Sequence, residues 1–250
     1  MNFLRPDWPA PSQVRAASTT RQGGVSLSPF DSFNLAGHVG DEPAAVAANR
    51  QQLHKALSLP TEPYWLSQIH GITVVNLDDD PGGLPEADAS ITSSANTICA
   101  VLTADCLPVL FCDQAGTQVA AAHAGWRGLA AGVLEATVAG FTAPSDQIMA
   151  WMGPAIGPQA FEVGDEVRQA FCDVDSAAAE AFVAVPSEAN GKKWLADVYR
   201  LARQRLAAVG VTNSYGSGHC TYTEAKDFYS FRRDGKTGRM ASLVWIEGGE

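Results

Sequence analysis

The sequence has no long apolar segment, and no stretch of its 250 residues approaches the ~20 apolar residues that a membrane-spanning helix needs. Its first residues, MNFLRPDWPAP, contain no apolar signal region. We therefore expect a soluble, cytoplasmic protein that does not act at a membrane.

Cysteine and positive charge are also scarce. The five cysteines are scattered and have no CxxC spacing, which favours a reducing compartment. The formal net charge is −10, and no basic run offers a stripe that could neutralise phosphates. The composition therefore argues against a non-specific nucleic-acid-binding protein.

Three common sequence motifs are missing as well. There is no GxGxxG after a predicted strand and no GxxxxGK[ST], so a dinucleotide site or a P-loop is unsupported. The segment GHCTYTE lacks the GxSxG pattern of a serine nucleophile elbow.

The residues that are present predict one α+β domain over 1–250. The chain is 46% hydrophobic and 18% charged, it has no internal repeat, and its predicted strands and helices do not alternate strictly. We expect a C-terminal hairpin that joins FYSFRRD to RMASLVWI through GKTG. The other predicted elements are strands at 14–20, 64–68, 72–77, 98–102, 107–111, 118–122 and 147–152, and helices at 43–59, 129–141, 164–172 and 192–209.

We expect the rest of the chain to be arranged around the segment 97–128. It contains three short apolar runs, interrupted by Thr103-Ala104-Asp105-Cys106 and followed by His123 and GWRG. Short runs bounded by turn residues are typical of buried strands, so Cys106 and His123 should lie at the edge of the core and reach a cleft. Gly125 and Gly128 would permit a tight turn into the next helix.

Two imidazoles and one thiolate carry the candidate chemistry. His70 precedes Gly71 between two predicted strands, and it joins Cys106 and His123 as a potential ligand. Three such ligands with one open position are typical of catalytic zinc. The alternatives are a Cys106 nucleophile with His123 as its base, or a buried cysteine and two structural histidines.

Arg50 is a candidate anion-binding residue. Helical spacing places it on the same stripe as Val46, Leu53 and Leu57, where a cation needs an anion or a cavity to face. The alternative is an arginine that extends to solvent from the edge of the stripe. On spacing alone, His38 and Arg233 are surface residues.

Seven segments are similar to one known family, and they span nearly the whole chain in the family's order: NLAGHVGDEP, ANRQQL, QIHG, ADCLPVLF, AAHAGWRG, GPAIGPQAFEVGDEV and FYSFRRDGKTGRMASL. The sequence resembles the YfiH family, also called the laccase-domain or multicopper polyphenol oxidoreductase family. The resemblance implies a single-domain layered α/β/β/α sandwich with mixed β-sheets, distantly like the cysteine-dependent toxin deamidases. It also implies metal ligands at His70, Cys106 and His123, usually for zinc.

The resemblance implies several activities. We favour a zinc-dependent enzyme that phosphorolyses adenosine, inosine, guanosine and methylthioadenosine and also deaminates adenosine. The alternative is a zinc-dependent amidase that edits a peptidoglycan precursor. Copper-dependent polyphenol oxidation ranks last, because five histidines cannot build several copper centres, although one copper ion in the His2Cys site remains the alternative metal.

The remaining site residues follow from this interpretation. Arg50, His38, Arg127 and Arg233 are the candidates for binding phosphate or ribose. Asp105, beside the catalytic Cys106, should orient a ligand or the neighbouring backbone. The expected partners are a purine nucleoside and phosphate, and the oligomeric state is not predicted. A non-enzymatic zinc module would instead take a fourth ligand from Cys99, Cys112 or Cys220.

Overall fold

The computed structural model describes residues 2–186, 191–216 and 218–249, and its helices and strands follow in chain order. The strands are β1 (Phe3–Leu4), β2 (Val14–Thr19), β3 (Val74–Asn76), β4 (Ala89–Thr92), β5 (Ile98–Thr103), β6 (Leu107–Asp113), β7 (Val119–Ala124), β8 (Ile148–Met152), β9 (Glu162–Gly164), β10 (Phe182–Val185), β11 (Lys193–Ala196), β12 (Asn213–Gly216) and β13 (Met240–Ile246). The α-helices are α1 (Pro43–Leu57), α2 (Trp126–Ala131), α3 (Val133–Ala139), α4 (Asp165–Cys172), α5 (Val198–Ala208) and α6 (Phe231–Asp234).

The strands form three sheets. An antiparallel sheet has the order β1-β2-β13-β5, and a mixed sheet has the order β12-β8-β6-β7-β4-β3. In the mixed sheet, β12 with β8 and β3 with β4 are the parallel pairs. A small antiparallel sheet, β10-β11-β9, is not hydrogen-bonded to either, and its Val163, Phe182 and Ala196 join the core on one face of the six-stranded sheet.

The two large sheets pack face to face and are covered on their outer faces by helices. Alternate residues of β5 face opposite sides: Val101 joins the core between the sheets, whereas Leu102 joins the core under α1. Leu53 and Leu57 of α1 cover the four-stranded sheet. Helices α2 to α5 contribute to the core on the outer face of the six-stranded sheet. The expected α/β/β/α sandwich is therefore confirmed.

Three predicted helices and strands were wrong in detail. The segment 192–209 is a strand followed by a helix, because the Asp197 side chain caps α5 by accepting from the Arg200 N–H at 2.9 Å. The segment 64–68 forms only two isolated bridges, at Tyr64 and Ser67. Helix 129–141 is two helices, α2 and α3, separated at Gly132, whose φ of 107° ends α2.

The predicted C-terminal hairpin does not form. Phe231–Asp234 is the short helix α6, which begins where the Ser230 hydroxyl accepts from the Arg233 N–H. β13 pairs instead with β2 and β5, far away in the sequence. Among the described residues, no helix combines the length and the hydropathy that crossing a membrane requires.

Candidate metal centre and cleft

The fold brings together three potential ligands from three different elements. His70 lies in the turn before β3, Cys106 in the turn between β5 and β6, and His123 near the end of β7. Their ligand atoms all lie within 4.8 Å of one another, and Cys106 Sγ is 3.9 Å from His70 Nε2. His123 is buried, Cys106 is half-buried and His70 is exposed, so the cluster faces a cleft.

The donor set fits one metal ion. Tetrahedral zinc, with ligands at about 2.0–2.3 Å, would place sulfur and nitrogen about 3.5 Å apart, so the three ligand atoms, which lie within 4.8 Å of one another here, would move closer together around the metal. Among residues 2–186, 191–216 and 218–249, no fourth His, Cys, Asp or Glu joins the cluster. Cys99 and Cys112 are buried between the two sheets, and Cys220 lines a separate cavity. The cluster therefore leaves a coordination position for water or substrate.

Asp88 orients two of the three ligands. One of its oxygens, Oδ1, accepts from the His123 Nδ1–H at 2.8 Å and from the His70 N–H at 2.9 Å. Its other oxygen, Oδ2, accepts from the N–H groups of Ile69 at 3.2 Å and Gly71 at 2.6 Å. These bonds hold the turn in which His70 has a φ of 61°, and they leave Nε2 as the ligand atom of His123.

Two glycines leave room for the His70 turn. A Cβ on Gly125 would lie 2.7 Å from His70 Cδ2 and 3.2 Å from Cys106 Sγ. A Cβ on Gly128 would lie 2.8 Å from the Gly71 carbonyl oxygen. The predicted tight turn is present, because Gly125 alone connects β7 to α2. Its φ of −63° is open to any residue, so close packing against the ligands is what requires glycine there.

The electrostatics of the metal-free cluster favour a thiolate. Burial raises the pKa of the Cys106 thiol, but the His123 imidazole, together with His70, outweighs this effect and lowers that pKa to about 6. Burial lowers the pKa of His123, whereas Cys106 and Asp88 raise it, and the net shift is upward. Cys106 is therefore in the form that a metal ligand or a nucleophile requires.

Asp105 holds the backbone beside Cys106. Its φ is 92°, which is uncommon for a residue other than glycine. The carboxylate accepts from the Thr221 hydroxyl at 2.6 Å and from the Arg232 N–H at 2.7 Å, and the Asp105 carbonyl oxygen accepts from the Ile156 N–H. Asp105 thereby ties the Cys106 turn to three other segments of the chain.

The cluster separates two lobes of one cleft, which share the residues His70, Ala104, Cys106 and Phe231. The first, here called the polar lobe, has a volume of about 240 Å³, and its other lining residues are His38, Gln68, Leu102, Thr103, His123 and Arg239. The second, the aromatic lobe, has a volume of about 270 Å³, and its other lining residues are Asp105, Ala124, Trp126, Arg127, Ile156, Phe161, Val198 and Arg232.

The aromatic lobe combines flat apolar side chains with guanidinium groups. The Arg127 guanidinium lies 4.4 Å from the ring centre of Trp126, and that of Arg232 lies 5.4 Å from the ring centre of Phe161. Such a lobe suits a planar, polar heterocycle.

The fold places two of the four predicted anion-binding residues in the cleft and two outside it. His38 lines the polar lobe and Arg127 lines the aromatic lobe. Neither Arg50 nor Arg233 is among the described residues that line the cleft.

Both of these arginines are engaged elsewhere. Arg50 donates from Nε and Nη2 to the Leu35 carbonyl oxygen and stacks on Trp65 at 4.2 Å. Arg233 donates to three backbone carbonyls, those of Thr221, Tyr222 and Phe228, and pairs with Asp234.

The sequence patterns did not predict two residues of the site, Asp88 and Arg239. Asp88 lies in a polar connection with several other acidic residues, and only its position directly before β4 distinguishes it. Arg239 lies beside Gly238 directly before β13, in a segment for which the sequence predicts a hairpin and no contact with the cleft. A polar residue at the end of a buried strand is the signal that both positions share.

Known proteins match the chain over nearly its full length. The family model described as "Multi-copper polyphenol oxidoreductase laccase" matches residues 15–247. The Escherichia coli protein named "Purine nucleoside phosphorylase YfiH" is 57% identical over 98% of each chain. A Pseudomonas aeruginosa protein named as a purine nucleoside phosphorylase is 56% identical over 98% of each chain.

Solved structures agree with these matches. A Neisseria meningitidis protein has a TM-score of 0.93 at 53% identity and covers 99% of this chain and 100% of its own. YlmD from Geobacillus stearothermophilus has a TM-score of 0.86 at 30% identity, with coverage of 99% and 97%. The chain therefore belongs to the multi-copper polyphenol oxidoreductase laccase family, which contains the YfiH proteins.

Proposed function

We propose that the chain is a zinc-dependent purine nucleoside phosphorylase whose centre is formed by His70, Cys106 and His123. The observation that carries the proposal is the position of this cluster between a polar lobe and an aromatic lobe. Phosphorolysis needs two binding sites, one for phosphate and one for a nucleoside, at a common reaction point. The names of the relatives from Escherichia coli and Pseudomonas aeruginosa support the same reaction.

The aromatic lobe is the proposed site for the purine. Trp126 and Phe161 offer flat faces for the base, while Ile156 and Val198 exclude water from it. We propose adenosine, inosine, guanosine and methylthioadenosine as substrates, because the apolar walls accept the shared purine ring.

Zinc is the metal that the donor set supports best. Two imidazoles and a thiolate with one open position are typical of catalytic zinc, whereas a multicopper oxidase needs several centres. Only one cluster of three or more potential ligands occurs among the described residues. When bound, zinc supplies Lewis acidity and lowers the pKa of water to about 7, which adenosine deamination as a second reaction would use.

The protein's own residues hold and orient the reaction centre. Asp88 fixes the tautomer and direction of His123, and Asp105 fixes the backbone that carries Cys106.

The cytoplasm remains the compartment that we predict for this enzyme.

A second candidate function is amide hydrolysis, either by a zinc-dependent amidase that edits a peptidoglycan precursor or with Cys106 itself as the nucleophile. One observation favours the cysteine nucleophile: Cys106 interacts with His123, and His123 donates to Asp88, which is the order of a cysteine nucleophile, its base and an orienting group. Under this alternative the two lobes would hold parts of a larger substrate.

Product analysis with adenosine separates these functions. The protein, purified without added metal, is incubated with adenosine in the presence and absence of phosphate. Ribose 1-phosphate and adenine that form only with phosphate would support phosphorolysis, and inosine would support deamination. If neither product forms, phosphorolysis is excluded and the amidase becomes the leading function.

A further inference from the structure

We propose that the Nε–Nη2 edge of Arg239 binds inorganic phosphate in the polar lobe, opposite the nucleoside in the aromatic lobe. This inference rests on the proposed phosphorolysis and adds to it the residue that binds the second substrate. Arg239 was not among the residues for which the sequence predicted such a role.

The guanidinium of Arg239 is held by one of its three nitrogens. Nη1 donates to the carbonyl oxygens of Thr237 at 2.9 Å and Gly238 at 3.0 Å. Neither Nε nor Nη2 donates a hydrogen bond to a described residue. Both atoms also keep some contact with solvent, since neither belongs to the buried side-chain atoms that have no partner. The Nε–Nη2 edge is therefore accessible in the lobe that Arg239 lines. This edge carries the two parallel N–H groups that bind a phosphate in bidentate fashion.

The Arg239 guanidinium forms no ion pair, since among the described residues no acidic side chain lies within ion-pair distance of it. The negative charges of Asp105 and the Cys106 thiolate act on it from a longer distance. The protein as a whole carries a formal net charge of −10 and would repel phosphate, so a guanidinium without an ion-pair partner is needed to attract the anion locally. His38, which lines the same lobe, adds an imidazole that can donate a further hydrogen bond.

The other residues of the polar lobe leave Arg239 as its principal anion ligand. Gln68 is engaged at both ends of its amide, since Nε2 donates to the Leu102 carbonyl oxygen at 2.8 Å and Oε1 accepts from the Leu102 N–H at 2.7 Å. In the aromatic lobe, the Arg127 guanidinium instead lies over the Trp126 ring, as in a cation–π contact. The polar lobe therefore suits the phosphate, and the aromatic lobe suits the nucleoside.

This arrangement gives a balanced reaction. An oxygen of hydrogen phosphate forms a bond to C1′ of the ribose while the bond from C1′ to the purine nitrogen breaks. The electron pair of the broken bond stays on the purine nitrogen, and the proton of hydrogen phosphate ends on the purine base. Ribose 1-phosphate and free base are the only products, and no oxidant or reductant is required.

The test is steady-state phosphorolysis of adenosine at varied phosphate concentration with Arg239→Lys. Lysine keeps the charge but lacks the fork, so we expect KM for phosphate to rise about tenfold to hundredfold, the range expected when a hydrogen bond to a charged group is lost. KM for adenosine should not change. Arg127→Lys is the matched variant in the other lobe and should raise KM for adenosine alone. Arg15→Lys, at a surface ion pair with Glu247, should alter neither constant.

A direct binding measurement separates this inference from the proposed function. Phosphate binding by the zinc-loaded protein is followed by calorimetry for the wild type and Arg239→Lys, with thermal melts to show that both are folded. Weaker binding in the variant supports the site even if the wild type forms no ribose 1-phosphate. Equal binding by both proteins overturns it.

Adenosine 5′-monophosphate distinguishes free phosphate from the phosphate of a nucleotide. We expect Arg239→Lys to weaken the binding of inorganic phosphate and to leave the affinity for the nucleotide unchanged. A loss of affinity for the nucleotide that exceeds the loss for inorganic phosphate would overturn the proposal.

Discussion

Asp88 and His123 are joined by two hydrogen bonds, one between side chains and one between backbones. His123 Nδ1 donates to Asp88 Oδ1 at 2.8 Å, and the His123 N–H donates to the Asp88 carbonyl oxygen at 2.7 Å. The same carboxylate holds the turn that carries His70. One buried acid therefore sets the positions of two of the three potential metal ligands.

Asp88→Asn should weaken metal binding. Removing the charge that polarises and orients His123 is expected to lower metal affinity by about tenfold to hundredfold. Competition with a chromogenic chelator measures this loss. The matched control is Asp78→Asn, because Asp78 also accepts from a turn, at Thr92, Ser93 and Ser94, but lies outside the cluster. Equal metal affinity in Asp88→Asn and the wild type would contradict the role of Asp88.

Gly125→Ala should disturb the ligands without unfolding the protein. The added Cβ would lie 2.7 Å from His70 Cδ2, so His70 has to move away and metal content should fall. Gly71→Ala is the control, since its Cβ would meet no atom closer than 3.5 Å. Metal per chain by elemental analysis, read beside a thermal melt, checks both variants. Full metal content in Gly125→Ala would show that the close contact is unimportant.

Alkylation of Cys106 should depend on both pH and metal. In the metal-free protein, reaction with iodoacetamide should be half-maximal near pH 6, because the lowered pKa of Cys106 makes the thiolate predominate above that value and protonates it below. Bound zinc should protect the sulfur. Mass spectrometry assigns the modified peptide, since Cys220 is also half-buried and has a lowered pKa. Alkylation that abolishes activity while metal removal leaves it intact would favour a cysteine hydrolase.

Arg50→Ala should act on stability rather than on phosphate binding. It removes two hydrogen bonds to the Leu35 carbonyl oxygen and the stacking on Trp65. Loss of hydrogen bonds to a charged group costs about 1–3 kcal/mol, which for a chain of this size lowers Tm by about 2–12 °C. KM for phosphate should stay constant in the folded variant. A large rise in KM for phosphate with an unchanged Tm would instead show that Arg50 binds phosphate.

Local sequence patterns predicted the framework better than the site. The strands that flank Cys106 and the strand that carries His123 could be predicted because short apolar runs bounded by turns suit buried strands. The helical stripe of Val46, Leu53 and Leu57 is buried as expected. The partner of Arg50 could not be predicted, because the Leu35 carbonyl comes from a loop without regular structure.

The missed residues depend on contacts between distant segments. Asp88 accepts from a turn 17 to 19 residues earlier and from a strand 35 residues later, and local spacing does not encode either contact. Arg239 reaches the polar lobe because β13 pairs with β2 and β5 rather than forming a hairpin. Such placement follows from sheet topology, which short-range periodicity does not determine.

The central claim is that phosphorolysis takes place at the His70–Cys106–His123 centre with one bound metal ion. The most direct measurement adds zinc in steps to metal-free protein and follows the formation of ribose 1-phosphate from adenosine and phosphate. We predict a rate that rises in proportion to bound zinc and reaches its plateau at one zinc ion per chain. An undiminished rate in the metal-free protein, or a rate restored only by copper, would contradict it.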